Sequence, residues 1–145
     1  MTLSSLFQNH LLLNALAAWF AAQLLKAILY AAVNRRLDLE RLFGDGGMPS
    51  GHSATVTALA ATAALESGLA SPEFAISTIL AVIVMHDATG VRRQAGEHAK
   101  AINELMKALN SKMAAEDKLQ ELLGHTPLQV FSGALIGLVV ALLLG

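Results

Sequence analysis

The C-terminal stretch, residues 128–145, reads LQVFSGALIGLVVALLLG and contains no charged side chain. A helix needs about 20 mostly apolar residues to cross the hydrocarbon core of a bilayer. Three earlier stretches, residues 11–33, 53–70 and 74–88, are also mostly apolar. The sequence therefore predicts an all-α integral membrane protein in which four helices form a bundle.

The composition agrees with a membrane location. The chain is 54% hydrophobic and only 14% charged, whereas soluble domains average about 25% charged residues. Its 145 residues suit one domain, residues 1–145. The net charge of −1 argues against a nucleic-acid partner, because nucleic-acid-binding domains are usually basic. The absence of cysteine excludes thiolate catalysis, disulfides and cysteine-bound zinc.

A polar segment, residues 94–127, separates the third apolar stretch from the fourth. Its apolar residues recur at helical spacing; they are Ile102, Leu105, Met106, Leu109 and Met113. We interpret the segment as an amphipathic helical insertion that lies on the membrane or on the bundle. A solvated helical hairpin is the open alternative.

Basic residues lie in the two loops on one side of the predicted helices; they are Arg35, Arg36, Arg41, Lys100, Lys107, Lys112 and Lys118. The opposite side, made of both termini and the short turn near Gly68, has none. Because cytoplasmic loops carry an excess of Lys and Arg, we expect both basic loops in the cytoplasm and both termini outside. The expected location is a bacterial inner (plasma) membrane.

Four polar clusters reach the same predicted face of the membrane. They are Lys26 in the first helix, Met48-Pro49-Ser50-Gly51-His52 before the second, Asp87 with Arg92 and Arg93 after the third, and Gly124-His125-Thr126-Pro127 before the fourth. The topology argument does not use these clusters. Their convergence therefore supports one functional site at the cytoplasmic face.

The clusters contain the groups that phosphoryl transfer requires. A phosphate dianion is bound by Arg and Lys side chains and by N–H groups at a helix start, where Ser50 and Gly51 stand. Two histidines, His52 and His125, can act as nucleophile and general acid. The few acidic residues in these clusters argue against a two-metal site. We therefore expect no metal and no cofactor.

Each residue also has a purely structural interpretation. Lys26 could snorkel to the interface, and Pro49 and Ser50 could simply begin a helix, with proline as its first residue. Asp87 could pair with a neighbouring arginine. His10 reads as a plain interfacial residue. The joint placement of the clusters on one face favours the functional interpretation.

Two clusters resemble motifs of a known family. Pro49-Ser50-Gly51-His52 resembles the second motif of the type 2 phosphatidic acid phosphatases, whose superfamily includes the vanadium-dependent haloperoxidases. Gly124-His125-Thr126-Pro127, with the small-residue helix that follows, resembles the end of the third motif. The ordered set over residues 26–137 is most similar to the short divergent branch of that superfamily.

The resemblance implies a role for each motif residue. His125 would attack phosphorus and form a phosphohistidine, and His52 would protonate the leaving lipid oxygen. The phosphate oxygens would be held, and the transition-state charge stabilised, by Lys26, Arg35, Ser50, the Gly51 amide, and Arg92 or Arg93.

The arginines depart from the family pattern. Val33 stands where the first motif has its arginine, and Arg35 lies slightly beyond. The insertion separates Arg92 and Arg93 from His125. Arg92 and His98 have the usual spacing, so His98 is a rival nucleophile.

The residue four positions after His125 also departs from the pattern. Gln129 stands where the family has an aspartate that orients the nucleophile. A neutral amide can accept from the imidazole but cannot stabilise an imidazolium by charge. Asp87, from the third helix, could supply the carboxylate instead.

The sequence thus predicts a metal-independent phosphoric monoester hydrolase that acts on lipid phosphates or diphosphates at the cytoplasmic face. Its expected partners are the lipid substrate and the surrounding membrane lipids, and a homodimer is an open alternative to a monomer. Two other functions stay open. One is a lipid-phosphate binder without hydrolysis, which Gln129 favours, and the other is a structural membrane subunit.

Overall fold

The computed structural model describes residues 3–35, 47–109, 119–121 and 123–145. Within these ranges a short 3-10 helix, Leu3–Gln8, precedes five α-helices. In chain order these are α1 (His10–Asn34), α2 (Gly51–Ser67), α3 (Pro72–Thr89), α4 (Val91–Ala108) and α5 (Pro127–Leu144). The described ranges contain no strand, which confirms the all-α prediction. Several predicted loop residues lie outside the described residues; they are Arg36, Arg41, Lys112, Met113 and Lys118.

Polar side chains cap the N-termini of the apolar helices by accepting a backbone N–H; they are Asn9, Ser50, Ser71 and Thr126. Such caps satisfy N–H groups that have no partner inside the helix. The interpretation of Pro49 as the first helical residue is wrong, because Ser50 is the cap and α2 begins at Gly51. This position of the cap places His52 in the first turn of α2.

Helix α2 lies between other helices and contacts α1, α3 and α5. The side chains at the centre of this packing are small. Ala18 and Ala22 of α1 meet Ala54 and Ala58 of α2, and Ile136 and Val140 of α5 pack against them. Small residues let helix backbones approach closely, and this close contact drives association where lipid replaces water.

Two glycines bring α5 against the backbone of α2. A Cβ atom at Gly133 would collide with the carbonyl oxygen of Ser50, and one at Gly137 would collide with the carbonyl oxygen of Ala54. Ala141, one turn further along α5, is fully buried. These three positions form a stripe of small residues at intervals of four, which is a common helix-contact pattern in membranes.

The outer surface of the helices is apolar. Exposed side chains include Phe20 and Ile28 of α1, Ile79 of α3 and Leu142 of α5. In soluble proteins large apolar side chains are most often inside, whereas here the interior is mainly alanine and glycine. Such an extensive exposed apolar surface marks contact with a membrane.

Three described stretches are long and apolar enough to cross a membrane: His10–Asn34, Pro72–Ala108 and Pro127–Leu144. The second of them comprises α3 and its continuation into α4. Helix α2, with 17 residues, is not among them. The prediction of four spanning segments is therefore supported for three, and the four-helix bundle with a separate amphipathic insertion stays a prediction.

Helix α4 begins directly after Gly90 and includes Arg92 and Arg93, which the sequence placed at the end of the third helix. Its buried face consists of Gly96, Ala99 and Asn103. The amide of Asn103 binds the backbone N–H and C=O of Leu119 at 3.1 and 2.9 Å. This face thus holds the segment that leads to α5.

Three residues of the predicted apolar stripe are not covered by the rest of the described chain, whereas Met106 is half-buried. Ile102, Leu105 and Leu109 are all exposed. Packing of this stripe on the bundle is therefore not observed. Two of the predicted environments of these residues remain, the membrane surface and solvent.

The start of α1 is tied to the end of α2 by two polar contacts. His10 Nδ1 lies 2.6 Å from Glu66 Oε1, and the buried Asn14 amide donates to Thr62 Oγ1 at 3.2 Å. Glu66, near the end of α2, therefore contacts the first residue of α1. His10, read from the sequence as a plain interfacial residue, has a hydrogen-bond partner in Glu66.

Replacing Gly137 with leucine should destabilise the protein by about 1–3 kcal/mol, the usual cost of overpacking, because the Ala54 carbonyl occupies the space. Heat or SDS unfolding of detergent-purified protein, followed by circular dichroism, measures this. Ala75→Leu, on the exposed surface of α3, is the matched control and should unfold like the wild type. Equal stability of the two variants would contradict the close α2–α5 contact.

Candidate functional site

The four predicted clusters meet at one end of the helices. The Ser50 N–H donates to the Gln129 carbonyl at 3.0 Å, and the His125 N–H donates to the Ala88 carbonyl at 2.8 Å. These two bonds join the starts of α2 and α5 and the end of α3. Lys26 of α1 lies beside Gly47, the residue that precedes the Met48–His52 cluster. Its Cδ atom is 3.7 Å from the position that a Cβ at Gly47 would take.

The first turn of α2 presents the Ser50-Gly51-His52 motif. Ser50 is fully buried, and its Oγ accepts hydrogen bonds from the N–H and the hydroxyl of Ser53 at 3.3 and 3.0 Å. Within the described residues, the N–H groups of Gly51 and His52 have no hydrogen-bond partner. Unpaired N–H groups at a helix start attract anions.

The Cβ position of Gly51 is directed at α1. A Cβ atom at this position would lie 3.4 Å from Trp19 Cδ1 and 3.7 Å from Gln23 Cδ. These are ordinary packing distances. A Cβ atom would therefore fit at Gly51, and the contribution of this residue to an anion site is its N–H at the helix start.

His125 is held in the turn that begins α5. The preceding Gly124 has φ of +80°, and its backbone packs directly on the backbone of Arg93, where a side chain would not fit. Thr126 caps α5 and Pro127 is its first residue. The His125 side chain is only 6% exposed, so the turn places an imidazole inside the helix group.

Gln129 binds both the helix cap and the histidine. Its Oε1 accepts the Thr126 N–H at 2.9 Å, which completes a capping box. The same atom lies 3.4 Å from His125 Nδ1. The residue predicted to orient His125 therefore does face it, although the cap has the shorter hydrogen bond.

His52 and His125 face each other across one cavity. Their ring centroids are 6.3 Å apart and the ring planes are inclined by 55°. The cavity has a volume of about 220 Å³ and is lined by His52, Ile83, Val84, Asp87, Ala88, Arg92, Leu123, Gly124 and His125. We call it the histidine cavity. Its lining therefore contains two imidazoles, one guanidinium and one carboxylate.

Asp87 and Arg92 form an ion pair in this cavity. Arg92 Nε donates to Asp87 Oδ2 at 2.8 Å, and both side chains are about half exposed. The pair spans Gly90, where α3 passes into α4. Asp87 therefore orients Arg92, whereas Gln129 is the residue whose side chain faces His125.

A second cavity of about 220 Å³ also has His125 in its lining. We call it the polar cavity; its lining includes Gly47, Arg93, Glu97, Lys100, Glu121, Thr126 and Gln129. Arg93 Nε lies 3.4 Å from Glu97 Oε1. The structure thus separates the two arginines, with Arg92 in the histidine cavity and Arg93 in the polar cavity.

Lys26 lies apart from the histidines. It is 7% exposed and lines a third cavity, of about 250 Å³, together with Tyr30 and Met48. Gly47 lines both this cavity and the polar cavity. Lys26 therefore approaches the site from the Gly47 side.

Two other predicted residues lie away from these cavities. Arg35 is the C-terminal cap of α1, with φ of +52°, and its N–H donates to the Ala31 carbonyl. His98, the rival nucleophile, is exposed on α4. Neither residue lines any of the three cavities. Within the described residues, no three His, Asp or Glu side chains are grouped as metal ligands would be.

The sequence did not predict that Gly124 packs on the backbone of Arg93 or that Lys100 lines the polar cavity. The spacing of Thr126 and Gln129 is that of a capping box, so the start of α5 could have been derived. The contact of Gly124 with Arg93 and the placement of Lys100 in the polar cavity carry no local signal. They depend on how α4 folds back toward α5.

The chain is similar to a known membrane protein and matches a protein family. The chain is 48% identical over 151 aligned positions to a Bacillus subtilis (strain 168) protein named "Uncharacterized membrane protein YuiD", and the alignment covers 96% of each chain. No solved structure matches the chain. The model of the family described as "Divergent PAP2 family" matches residues 7–140. The protein therefore belongs to the Divergent PAP2 family.

Proposed function

We propose that the protein is a metal-independent lipid phosphatase that acts through a phosphohistidine at His125. One observation carries this proposal. The rings of His52 and His125 face each other across a single cavity that also contains Arg92. Two imidazoles in this arrangement can serve as nucleophile and general acid.

The separation of the rings suits an in-line displacement at phosphorus. Reacting atoms lie about 3–3.5 Å apart before reaction, and a hydrogen bond from a general acid spans about 2.6–3.2 Å. The ring centroids of His52 and His125 are 6.3 Å apart, which places both imidazoles beside the same cavity and within reach of one phosphoryl group. His125 can therefore attack from one side while His52 serves the leaving oxygen on the other.

The reaction has two steps. Because Nδ1 of His125 faces Gln129, Nε2 attacks phosphorus; the P–N bond forms, the P–O bond to the lipid breaks, and His52 gives its proton to the leaving oxygen. Water then attacks phosphorus from the side that the lipid oxygen has left, and it gives a proton to His52. The P–N bond breaks, and inorganic phosphate is released.

The phosphate oxygens are held by groups from several elements. Arg92, which Asp87 orients, supplies a guanidinium in the histidine cavity. The N–H groups of Gly51 and His52 supply the positive end of α2. Lys26 and Arg93 approach from the Gly47 side and add positive charge. Arg35 lies outside the described cavities, so its role is the least supported.

We further propose that this end of the molecule faces the cytoplasm of an inner-membrane protein with both termini outside. Arg35 caps α1 at this end, and Lys100 and Lys107 belong to α4, which begins at this end after Gly90. These positions agree with the positive-inside rule. A cytoplasmic site suits a lipid phosphate of the inner leaflet, such as phosphatidate or phosphatidylglycerol phosphate. A homodimer is compatible with this arrangement.

A lipid-phosphate binder without hydrolysis is the second candidate. One observation favours it: Gln129 is neutral and its Oε1 is shared between the helix cap and His125. Binding of a lipid phosphate without phosphate release and without phosphohistidine would identify this function.

Replacing His125 with alanine should reduce release of inorganic phosphate by several orders of magnitude, because the nucleophile is lost. The assay uses detergent-purified protein, a panel of lipid phosphates and EDTA. His98→Ala is the matched control, since His98 is exposed on α4, and should retain wild-type rates. Loss of activity in His98→Ala with retention in His125→Ala would reverse the assignment.

Replacing Gln129 with glutamate should raise kcat. A carboxylate in this position would keep both hydrogen bonds and would also stabilise the imidazolium by charge; in serine proteases the reverse neutralisation lowers kcat by about 10⁴. Steady-state phosphate release measures the change. Gln94→Glu, on the exposed surface of α4, is the control for added charge. An unchanged kcat in Gln129→Glu would contradict this prediction, because it would show that the lack of a carboxylate beside His125 does not limit the rate.

A further inference from the structure

The chain reaches His125 by running along α4. One face of this helix is buried and consists of Gly96, Ala99 and Asn103. These residues are three and four positions apart, so they follow one another along the same side of the helix. We call the described residues that lead into His125 the return segment; they are residues 119–121, 123 and 124.

Asn103 holds the start of the return segment with its side-chain amide. Nδ2 donates to the Leu119 carbonyl and to Glu121 Oε1, both at 2.9 Å, and Oδ1 accepts the Leu119 N–H at 3.1 Å. Both N–H bonds of the amide are thus used. A buried amide without partners is costly, and Asn103 is only 4% exposed. Its hydrogen bonds therefore fix residues 119–121 on α4.

Gly96 lets the middle of the return segment touch the backbone of α4. A Cβ atom at Gly96 would lie 2.6 Å from the Glu121 carbonyl oxygen and 2.9 Å from the Leu123 carbonyl oxygen. Only glycine allows two backbones to approach so closely. At the end of the segment, Gly124 lies against the backbone of Arg93 in the same way. The return segment is therefore held at three successive points along α4.

His125 follows directly on these contacts. Its N–H donates to the Ala88 carbonyl at 2.8 Å, at the end of α3, and Gln129 of α5 faces its ring at 3.4 Å. The backbone before His125 is thus positioned by α4, and the backbone after it by the cap of α5. Since α4 also carries Arg92 in its first turn, one helix determines where both the imidazole and this guanidinium lie.

Asn103 is distant from the chemistry. It lines neither the histidine cavity nor the polar cavity, and it lies about 15 Å from Arg93 along the helix axis. Asn103 therefore does not touch a phosphate bound beside His125. Its influence on the reaction has to pass through the return segment.

We propose that Asn103 is a positioning residue: by holding the return segment on α4, it keeps the His125 imidazole aligned with a bound phosphoryl group. Attack requires reacting atoms about 3–3.5 Å apart, and a misplacement of about 1 Å can lower the rate about 100-fold. Release of the segment from Asn103 permits such a displacement. This assignment rests on the proposed phosphatase function.

The first test removes the amide. Asn103→Ala should lower kcat by about 10- to 100-fold, with KM within about twofold of the wild type, because the groups that bind the substrate are untouched. The measurement is steady-state phosphate release per folded protein, with the folded fraction determined by size-exclusion chromatography and circular dichroism. Gln94→Ala, which removes an amide from the exposed surface of α4, is the matched control and should match the wild type. A wild-type kcat in folded Asn103→Ala would overturn the assignment.

The second test restores the contact with other atoms. Asn103→Asp keeps the acceptor for the Leu119 N–H but places a carboxylate against Glu121, so kcat should fall. Adding Glu121→Gln supplies an amide that donates to the new carboxylate, and kcat should rise at least about threefold above that of Asn103→Asp alone. No recovery in the double variant would contradict a role for the Asn103–Glu121 bond in positioning.

The third test does not depend on turnover. Diethyl pyrocarbonate acylates accessible imidazoles, and mass spectrometry gives the rate at each histidine. His125 is buried and should react at least about threefold faster in Asn103→Ala, because local release of the segment exposes the ring. His10, exposed at the opposite end of the helices, is the internal reference and should react equally in both proteins.

The two proposals fail in different ways. Equal rates of His125 acylation in the wild type and Asn103→Ala would overturn the positioning role alone. Absence of phosphate release from every lipid, with faster acylation in Asn103→Ala, would overturn the proposed phosphatase and the catalytic consequence with it, although Asn103 would still be shown to hold His125 in place.

Discussion

The close approach of α2 and α5 is the constraint on which the site depends. Gly133 lies against the Ser50 carbonyl and Gly137 against the Ala54 carbonyl, where no Cβ atom fits. The hydrogen bond from the Ser50 N–H to the Gln129 carbonyl extends this contact to the cap of α2 and the first turn of α5. Since His52 and His125 flank these two ends, helix packing without large side chains determines the distance between the two imidazoles.

A membrane environment explains why the packing takes this form. Lipid is as apolar as leucine, so association of helices relies on close van der Waals contact and on hydrogen bonds. The alanine centre and the Asn14–Thr62 bond provide these contacts within the described helices. Ser50, His125 and Lys26 are buried at one end of the helices, where His125 and Lys26 line cavities.

Helix α4 and the residues that follow it separate Arg92 and Arg93 from His125 in the sequence. Helix α4 carries Arg92 and Arg93 into two different cavities that both include His125, and Gly124 allows the returning chain to pack directly on their backbone. Arginines distant in sequence from the histidine can therefore still reach it. Gln129, which caps α5 while it faces His125, combines a folding role with a site role in one side chain.

The sequence alone determined the apolar helices, their polar ends and the motif residues, because hydropathy and capping are local properties of the chain. It placed His52, Asp87, Arg92 and His125 at one end, and the structure brings these residues into one cavity. Only the tertiary structure decided that Arg93 belongs to a different cavity and that His98 points away. Such assignments depend on where α4 turns at Gly90 and where Gly124 meets Arg93, and contacts between distant segments leave no periodic signal in the sequence.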